Sequence, residues 1–459
     1  MALGKRRHQQ QQAWIATTDL PRSPGHPFYR KLNELLIEAD FDAWLEVLCQ
    51  PYYSATLGRP SIPPGVYFRM ILVGYFEGIA SQRGIAWRCS DSRSLSEFLG
   101  VPVTESTPDH SSMTRTHKRL PLEVHEQVFQ FVLSIATAKE LLSAKTVGVD
   151  STTLEANAAM KSIIRKDTGE DWKQYVVRLM REAGVVAEEE TPTDEEIRRF
   201  DKRRKDKKVS NQEWQSPTDP DSHIAKMKDG TTHLAYKAEH VVDLESEFVL
   251  AATVHAGTVP DTETLCDSLV IAEVNLQAAG AEEGIKEAAA DKGYHSVSTL
   301  ELCDDLDYRM YIPEPARKNE RTWKDKPADY QRVVYNNRRR VQRDKGKRLQ
   351  RLRSERVERS FAHVCETGGA RRCWLRGLLK VTKRYLIQVA ARNLGLILRK
   401  LFGIGTARSL QDLRALFALA QLAIETLLSA LESTQRGLEV AIQLPISQPN
   451  RETMGYYAA

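Results

Sequence analysis

The sequence predicts an all-α domain followed by a mixed α/β domain. Three observations lead there. From Phe28 to about Leu142, apolar residues recur at three- and four-residue spacing, the helical period. Residues 145–154, "KTVGVDSTTL", then open a β-rich block. That block continues as a hairpin pattern and a strand–helix alternation, the order of a mixed sheet.

The elements follow in order. Residues 1–25 are polar and Gln-rich and end near "PRSPGHP", which predicts a disordered arm. A helical domain over 26–142 begins with "FYRKLNELLIEADFDAWLEVL". "PPGVYFRMILVGYFEGI" starts on prolines that suit a helix N-terminus. "SQRGIAWRCSDSRSLSEFLGV" has the makings of a helix–turn–helix, and "HEQVFQFVLSIATAKELL" is a further helix. The second domain spans 143–403. Its first strand is expected to end at Asp150, and a charged insertion near 160–217 interrupts it with an acidic run and then a basic one. Segments 233–243 and 247–255 form a hairpin about the polar "DLES". Next come a helix capped by Asp261, a strand ending at Asp291, a helix, and the strand "YRMYIP". "WLRGLLKVTKRYLIQVAARNLGLILRKLF" predicts a long helix or helix pair. The tail, 404–459, predicts another helix, with Ser409 as N-cap.

Composition excludes several classes. The chain has 459 residues, 41% hydrophobic and 28% charged, with a net charge of +5. Its six cysteines form no CxxC pair, so a secreted disulfide scaffold is not indicated. His363, Cys365 and Cys373 lie close in sequence but lack a fourth zinc ligand at the usual spacing. The N-terminus has no apolar signal region, and the longest uncharged apolar run, 415–424, is too short for a bilayer. A soluble cytoplasmic protein is expected. No GxxxxGK[ST] motif is present, which argues against phosphoryl transfer from ATP.

Charge is concentrated rather than spread. Residues 317–359 hold seventeen Lys and Arg against six Asp and Glu. Such a stretch gathers a polyanion through phosphate contacts that fix position without reading sequence. Arg338, Arg339, Arg340, Arg351, Arg353 and Arg356 are its candidate DNA contacts, joined by Lys292 and Tyr294 after Asp291. Tyr294 has an equal alternative in packing against the sheet.

Three acids stand out: Asp150 and Asp291 at strand ends, and Glu358 on a helix among arginines. Each has a bland alternative. An Asp at a strand end commonly caps a turn or helix, and Glu358 could serve charge balance. Together they are the oxygen ligands that hard cations prefer. Two such ions can activate a nucleophile and stabilise a leaving oxygen in phosphoryl transfer.

"GVDSTTLEANAA", "ADKGYHS" and "RVERSFAHV" resemble the three acidic motifs of the DDE transposases of bacterial insertion sequences. "GRPSIPPGVYFRMILVGYFEGI" and "TPDHSSMTRTHKRL" are similar to the helical N-terminal domain of one group of them. The resemblance covers most of the chain. It implies an RNase H-like catalytic domain, with Asp150, Asp291 and Glu358 as catalytic residues and metal ligands. It further implies two Mg2+ ions, replaceable by Mn2+. The implied partners are the element's terminal inverted repeats and target DNA, met as a homodimer or larger synaptic assembly at the nucleoid, with no membrane. The family also sets an Arg four residues before its glutamate and a Lys seven after, where this chain has Ser354 and Cys365. Arg351 or Arg353 then supplies the missing charge, and Glu355 remains a second candidate for the third acid. Glu155 and Asn157 are candidate supports for the site, or the start of a helix after Thr152. Trp323 and Trp374 stack on a base or, more simply, pack in a core or interface. The rival functions are a nuclease of the same fold that cuts without joining, and a DNA-binding derivative whose acids are idle. Convergence of the three carboxylates in space is the requirement that decides.

Overall fold

The computed structural model describes residues 25–407, apart from 55–57, 59–60, 206–208, 228–229 and 317–320. The arm up to residue 24 and the tail helix expected from Ser409 lie outside the described residues.

The first part is all helical: α1 (Pro27–Glu38), α2 (Phe41–Cys49), α3 (Pro64–Glu77), α4 (Gln82–Ser90), α5 (Arg93–Phe98), α6 (His110–Arg119) and α7 (Leu122–Ala138). Local chemistry sets these boundaries. Prolines open α1 and α3, and Gly78, at φ 68°, closes α3 in the left-handed region. Ser81, Ser92 and Asp109 accept backbone N–H bonds and so cap α4, α5 and α6. The expected helix–turn–helix stretch does form two helices, α4 and α5, joined by a short turn. α3 is buried along nearly its whole length and centres this core.

The second part continues as β1 (Thr146–Glu155), β2 (Ile164–Arg165), α8 (Trp172–Glu182), α9 (Asp194–Arg203), β3 (Trp214–Gln215), β4 (His223–Lys226), β5 (Thr232–Asp243), β6 (Val249–Ala256), α10 (Asp261–Ala278), β7 (Glu287–Ala290), α11 (Val297–Asp305), β8 (Arg309–Tyr311), α12 (Ala328–Gln342), α13 (Asp344–Phe361) and α14 (Leu378–Phe402). The main sheet runs β5-β1-β7-β8, with β4 and β6 both paired to β5. β1 is antiparallel to β5 and parallel to β7, and β7 is parallel to β8. This is the RNase H-like mixed sheet that the motifs imply. Side chains alternate across a strand. Thus Gly148, Asp150 and His240 face α13, while Ser151, Lys237 and Glu239 face α10.

Asparagine side chains finish the outer strands. Asn337 on α12 bonds both the N–H and the carbonyl of Ile312 after β8. Asn393 on α14 does the same for Val249 at the start of β6, and Asn211 for Ile224 in β4. Backbone groups that an edge would leave unmet are thereby satisfied.

Three expectations are corrected. β1 runs on through Glu155, so Asp150 lies inside a strand, neither at its end nor as a cap, and no helix starts after Thr152. The alternating pairing of Ser151 to Glu155 with β5 carries the strand past its polar residues. The 160–217 insertion is more than a solvated helix or loop: capping boxes at Asp171/Gln174 and Thr193/Glu196 start α8 and α9. Those helices bury Val176, Met180 and Ile197 together, beside the small β2–β3 ladder. α10 is capped by Pro260, so Asp261 is its first residue and not the expected cap. Of the long helix or helix pair expected near the end, the single helix α14 is what forms. No helix among the described residues is long and apolar enough to cross a membrane.

Candidate functional site

Strand register brings two of the three expected acids side by side. β1 and β7 run parallel with Val149 opposite Ala290. Asp150 is the next residue on β1, and Asp291 follows the last residue of β7, so the two acids leave the paired strands as neighbours. Asp291 caps the short helical turn Lys292–Tyr294, its side chain accepting the Gly293 N–H. Asp150 accepts its own neighbour's N–H, from Ser151, at 2.8 Å and Arg353 Nη1 at 2.6 Å. Burial pushes the Asp150 carboxyl up from its ordinary value; Arg353 opposes the shift and Asp291 adds to it. Two acids that repel across neighbouring strands make a place where a cation gains.

α13 is held against this end of the sheet. Val357 and Arg353 pack over Gly148. His240, the register partner of Asp150, bonds Ser360 Oγ through Nδ1 at 2.8 Å and stacks on Phe361 at 4.1 Å. Its other nitrogen meets the Tyr385 hydroxyl at 2.8 Å, and burial holds its pKa well below the usual value. His240 thus ties β5, α13 and α14 together beside Asp150.

Glu358 is exposed and accepts from Ser354 Oγ at 3.2 Å. Arg356 and Arg359 reach the turn at Leu244–Glu247, near the start of β1. The helical period puts Glu358 on the opposite flank, toward the end of the sheet where Asp150 and Asp291 lie. Glu355 pairs with Arg359 and lies on the far flank. The expected convergence of all three carboxylates is not met: among the described residues, no group of three His, Cys, Asp or Glu is placed to hold a metal, and Glu358 does not close a cluster with Asp150 and Asp291.

The arginines divide. Arg339 and Arg351 are exposed, as is Lys292. Arg338 forms a two-bond pair with Glu314, at 2.8 and 3.1 Å. Arg340 is partly buried, Arg353 serves Asp150, and Arg356 donates to the Leu244 and Glu245 carbonyls. Tyr294, a candidate DNA contact, is instead 1% exposed and donates its hydroxyl to Glu239 at 2.7 Å. Its apolar ring fills the space under α10, where a DNA strand does not reach. Glu155 and Asn157 do not support the acids. Glu155 stands 3.8 Å from His233 and 3.9 Å from Arg372, and Asn157 donates to the Trp374 carbonyl. Both tie residues 371–376 to the end of β1. Trp374 is 56% exposed rather than packed, whereas Trp323 packs against Tyr335.

Asp261, expected only as a helix cap, belongs to the same neighbourhood. Pro260 is the N-cap of α10 and Asp261 its first residue. Asp261 Oδ1 accepts from Ser151 Oγ at 3.0 Å and from Lys237 Nζ at 3.1 Å. Only the strand alternation that sends Ser151 toward α10 would have signalled it.

A family model described as "Transposase DDE domain" matches residues 172–394, and one described as "Transposase domain (DUF772)" matches residues 18–119. Asp291 and Glu358 fall within the first span, and Asp150 precedes it. No curated protein matches. A solved structure, "Mos1 transposase paired-end complex with left transposon end", aligns at 10% identity over 69% of this chain and 82% of that one. Its TM-score is 0.18.

Proposed function

The chain belongs to the bacterial-type DDE transposases, with an N-terminal transposase domain and a DDE-type catalytic domain, and we propose that it cuts the ends of an insertion sequence and joins them to target DNA. Water attacks the phosphorus at the element's end, the bond to the 3′-oxygen breaks, and that oxygen leaves as a hydroxyl. The 3′-hydroxyl then attacks a phosphorus of target DNA and displaces the target's own 3′-oxygen.

The observation that supports this reading is the placement of Asp150 and Asp291 directly after the β1–β7 register pair Val149–Ala290, with Glu358 on the facing flank of α13. Their donors are all carboxylate oxygens, which fits Mg2+, with Mn2+ as a substitute, and leaves positions for waters and phosphate oxygens. Bound there, such ions supply Lewis acidity to the phosphate and favour both attacking and leaving oxygens. Asp150, Asp291 and Glu358 would hold the cation. Arg353 pairs with Asp150 and offsets its charge. Arg339, Arg351 and Lys292 contact DNA phosphates. The helical domain, 26–142, recognises the terminal repeats or mediates the homodimer, and the catalytic domain occupies 143–403. The chain acts at the nucleoid, in the cytoplasm.

Asp150→Asn tests the reading. Mg2+-dependent cleavage of end DNA should vanish while binding of the same DNA persists. Substantial cleavage by that variant overturns the assignment. Pre-cut ends offered with target DNA separate a transposase from an enzyme that only cuts.

A further inference from the structure

Asp261 has a polar surrounding that a helix cap does not need. Ser151, which fixes its Oδ1, is the residue after Asp150. Lys237, which donates to the same oxygen, has a side chain only 9% exposed. That lysine also lies 3.3 Å from Thr264 Oγ1, and its charge acts on the buried Glu239. One lysine therefore lies beside two carboxylates, Asp261 directly and Glu239 at longer range. Asp261 Oδ2 lies beside Gly293. A Cβ at Gly293 would stand 3.0 Å from Asp261 Oδ2 and 3.4 Å from Asp291 Oδ1. Two carboxylate oxygens from different elements thus flank a space that exists because residue 293 has no side chain.

We infer that Asp261 is a positioning residue of the cation site, flanking Asp291 from the α10 side as Asp150 flanks it from β1. This rests on Asp150 and Asp291 being the cation's ligands. A hard cation keeps much of its water, and a carboxylate that accepts from those waters orients the site without joining it. Ser151 and Lys237 hold Asp261 by Oδ1, which keeps Oδ2 on the side of Asp291. The competing role is neutralisation of Lys237 alone. Gly293→Ala separates the two, since it leaves the Asp261–Lys237 pair intact and acts on the space beside Asp291. Asp261→Asn removes the charge from both, while its amide oxygen can still accept from Ser151 and Lys237.

The experiment is a titration of the full-length chain with Mn2+ alone, followed by the paramagnetic resonance signal of the free ion. Wild type, Asp150→Asn, Asp261→Asn and Gly293→Ala are compared, with thermal melting as the check on folding. Asp261→Asn should bind Mn2+ about tenfold more weakly, the usual size for the loss of a supporting carboxylate. Mg2+-dependent cleavage should fall by a similar factor, with binding of end DNA unchanged. Gly293→Ala sets a methyl between the two oxygens and should also weaken Mn2+, which keeps the question open to test if Asp261→Asn folds poorly. Wild-type Mn2+ affinity in both variants, alongside its loss in Asp150→Asn, overturns the inference and leaves the transposase reading standing. Wild-type affinity in Asp150→Asn as well removes the cation reading of Asp150 and Asp291, and the inference with it.

Discussion

Arg353 Nη1 donates to Asp150 Oδ2 at 2.6 Å, a bond between residues 203 positions apart. The pair is largely shielded, with the arginine 11% and the aspartate 24% exposed. Two effects oppose each other on this carboxyl. Burial raises its pKa, and Arg353 lowers it. Removing the arginine leaves burial and Asp291 raising it, opposed only by the Ser151 N–H. Arg353→Gln should therefore move the acid limb of the cleavage–pH profile to higher pH, since catalysis needs the carboxylate. The sign is the test. Rate measured against pH should show a limb shifted upward in Arg353→Gln and restored toward wild type in Arg353→Lys.

Gly148 sets how closely α13 approaches β1. A Cβ there would lie 2.8 Å from Leu244 Cδ2, 3.0 Å from Val357 Cγ2 and 3.1 Å from Arg353 Cγ. All three belong to packed side chains, so α13 has to move outward. Gly148→Ala should lower stability by about 1–3 kcal/mol, the usual cost of overpacking. It should also slow cleavage, because α13 carries Arg353 and Glu358. Denaturant unfolding gives the first quantity and an end-cleavage assay the second. Full activity at lowered stability would show that the placement of α13 does not matter to the site.

How much of this could be read in the sequence depends on how far apart the deciding residues lie. The β5–β6 hairpin was legible because its alternation and the turn at "DLES" are local. Asp291 was legible because the short apolar strand stops there and a turn follows. Asp150 was recognised as a candidate but misplaced. "DSTT" looks like the end of a strand until β5 pairs with it through Glu155. The small core of the insertion hid in a charged segment, although its two capping boxes were printed in the sequence. The arginines were the least legible. A count gives their charge but not their partners, and Arg338–Glu314 and Arg353–Asp150 are contacts that only the fold creates. Asp261 failed for the same reason, since Ser151 and Lys237 come from two other strands.

Asn393 closes an edge that the sheet itself leaves open. Its amide accepts from Val249 N at 3.1 Å and donates to Val249 O at 2.8 Å, and the side chain is fully buried. Leucine has a similar volume but neither function. Asn393→Leu should strand a buried N–H and a buried carbonyl, each worth about 1–3 kcal/mol. Thermal unfolding should show a loss of several degrees, and amide exchange at Val249 should speed up more than at the centre of β5. Equal protection at both places would mean that water replaces the amide without cost.

Tyr67 joins two buried histidines in the helical domain. Its hydroxyl stands 2.9 Å from His117 Nδ1 and 3.2 Å from His125 Nε2. Burial lowers both pKa values, to about 3 for His117, where His125 adds to the effect, and to about 4 for His125. Both rings are therefore neutral in the folded chain and take up protons near pH 6.5 once unfolded. The unfolded state then binds more protons below pH 6.5, so stability falls as pH falls from there toward the folded values. Each histidine costs about 1.4 kcal/mol per pH unit in that window, or about 2 kcal/mol at pH 5. His117→Asn and His125→Gln keep a polar atom near Tyr67 without a titrating ring. The double variant should lose about 4 kcal/mol less than wild type between pH 7 and pH 5 in urea unfolding. An unchanged loss would place the acid sensitivity elsewhere, with His240 the next group to replace, since burial holds its pKa well below the usual value too.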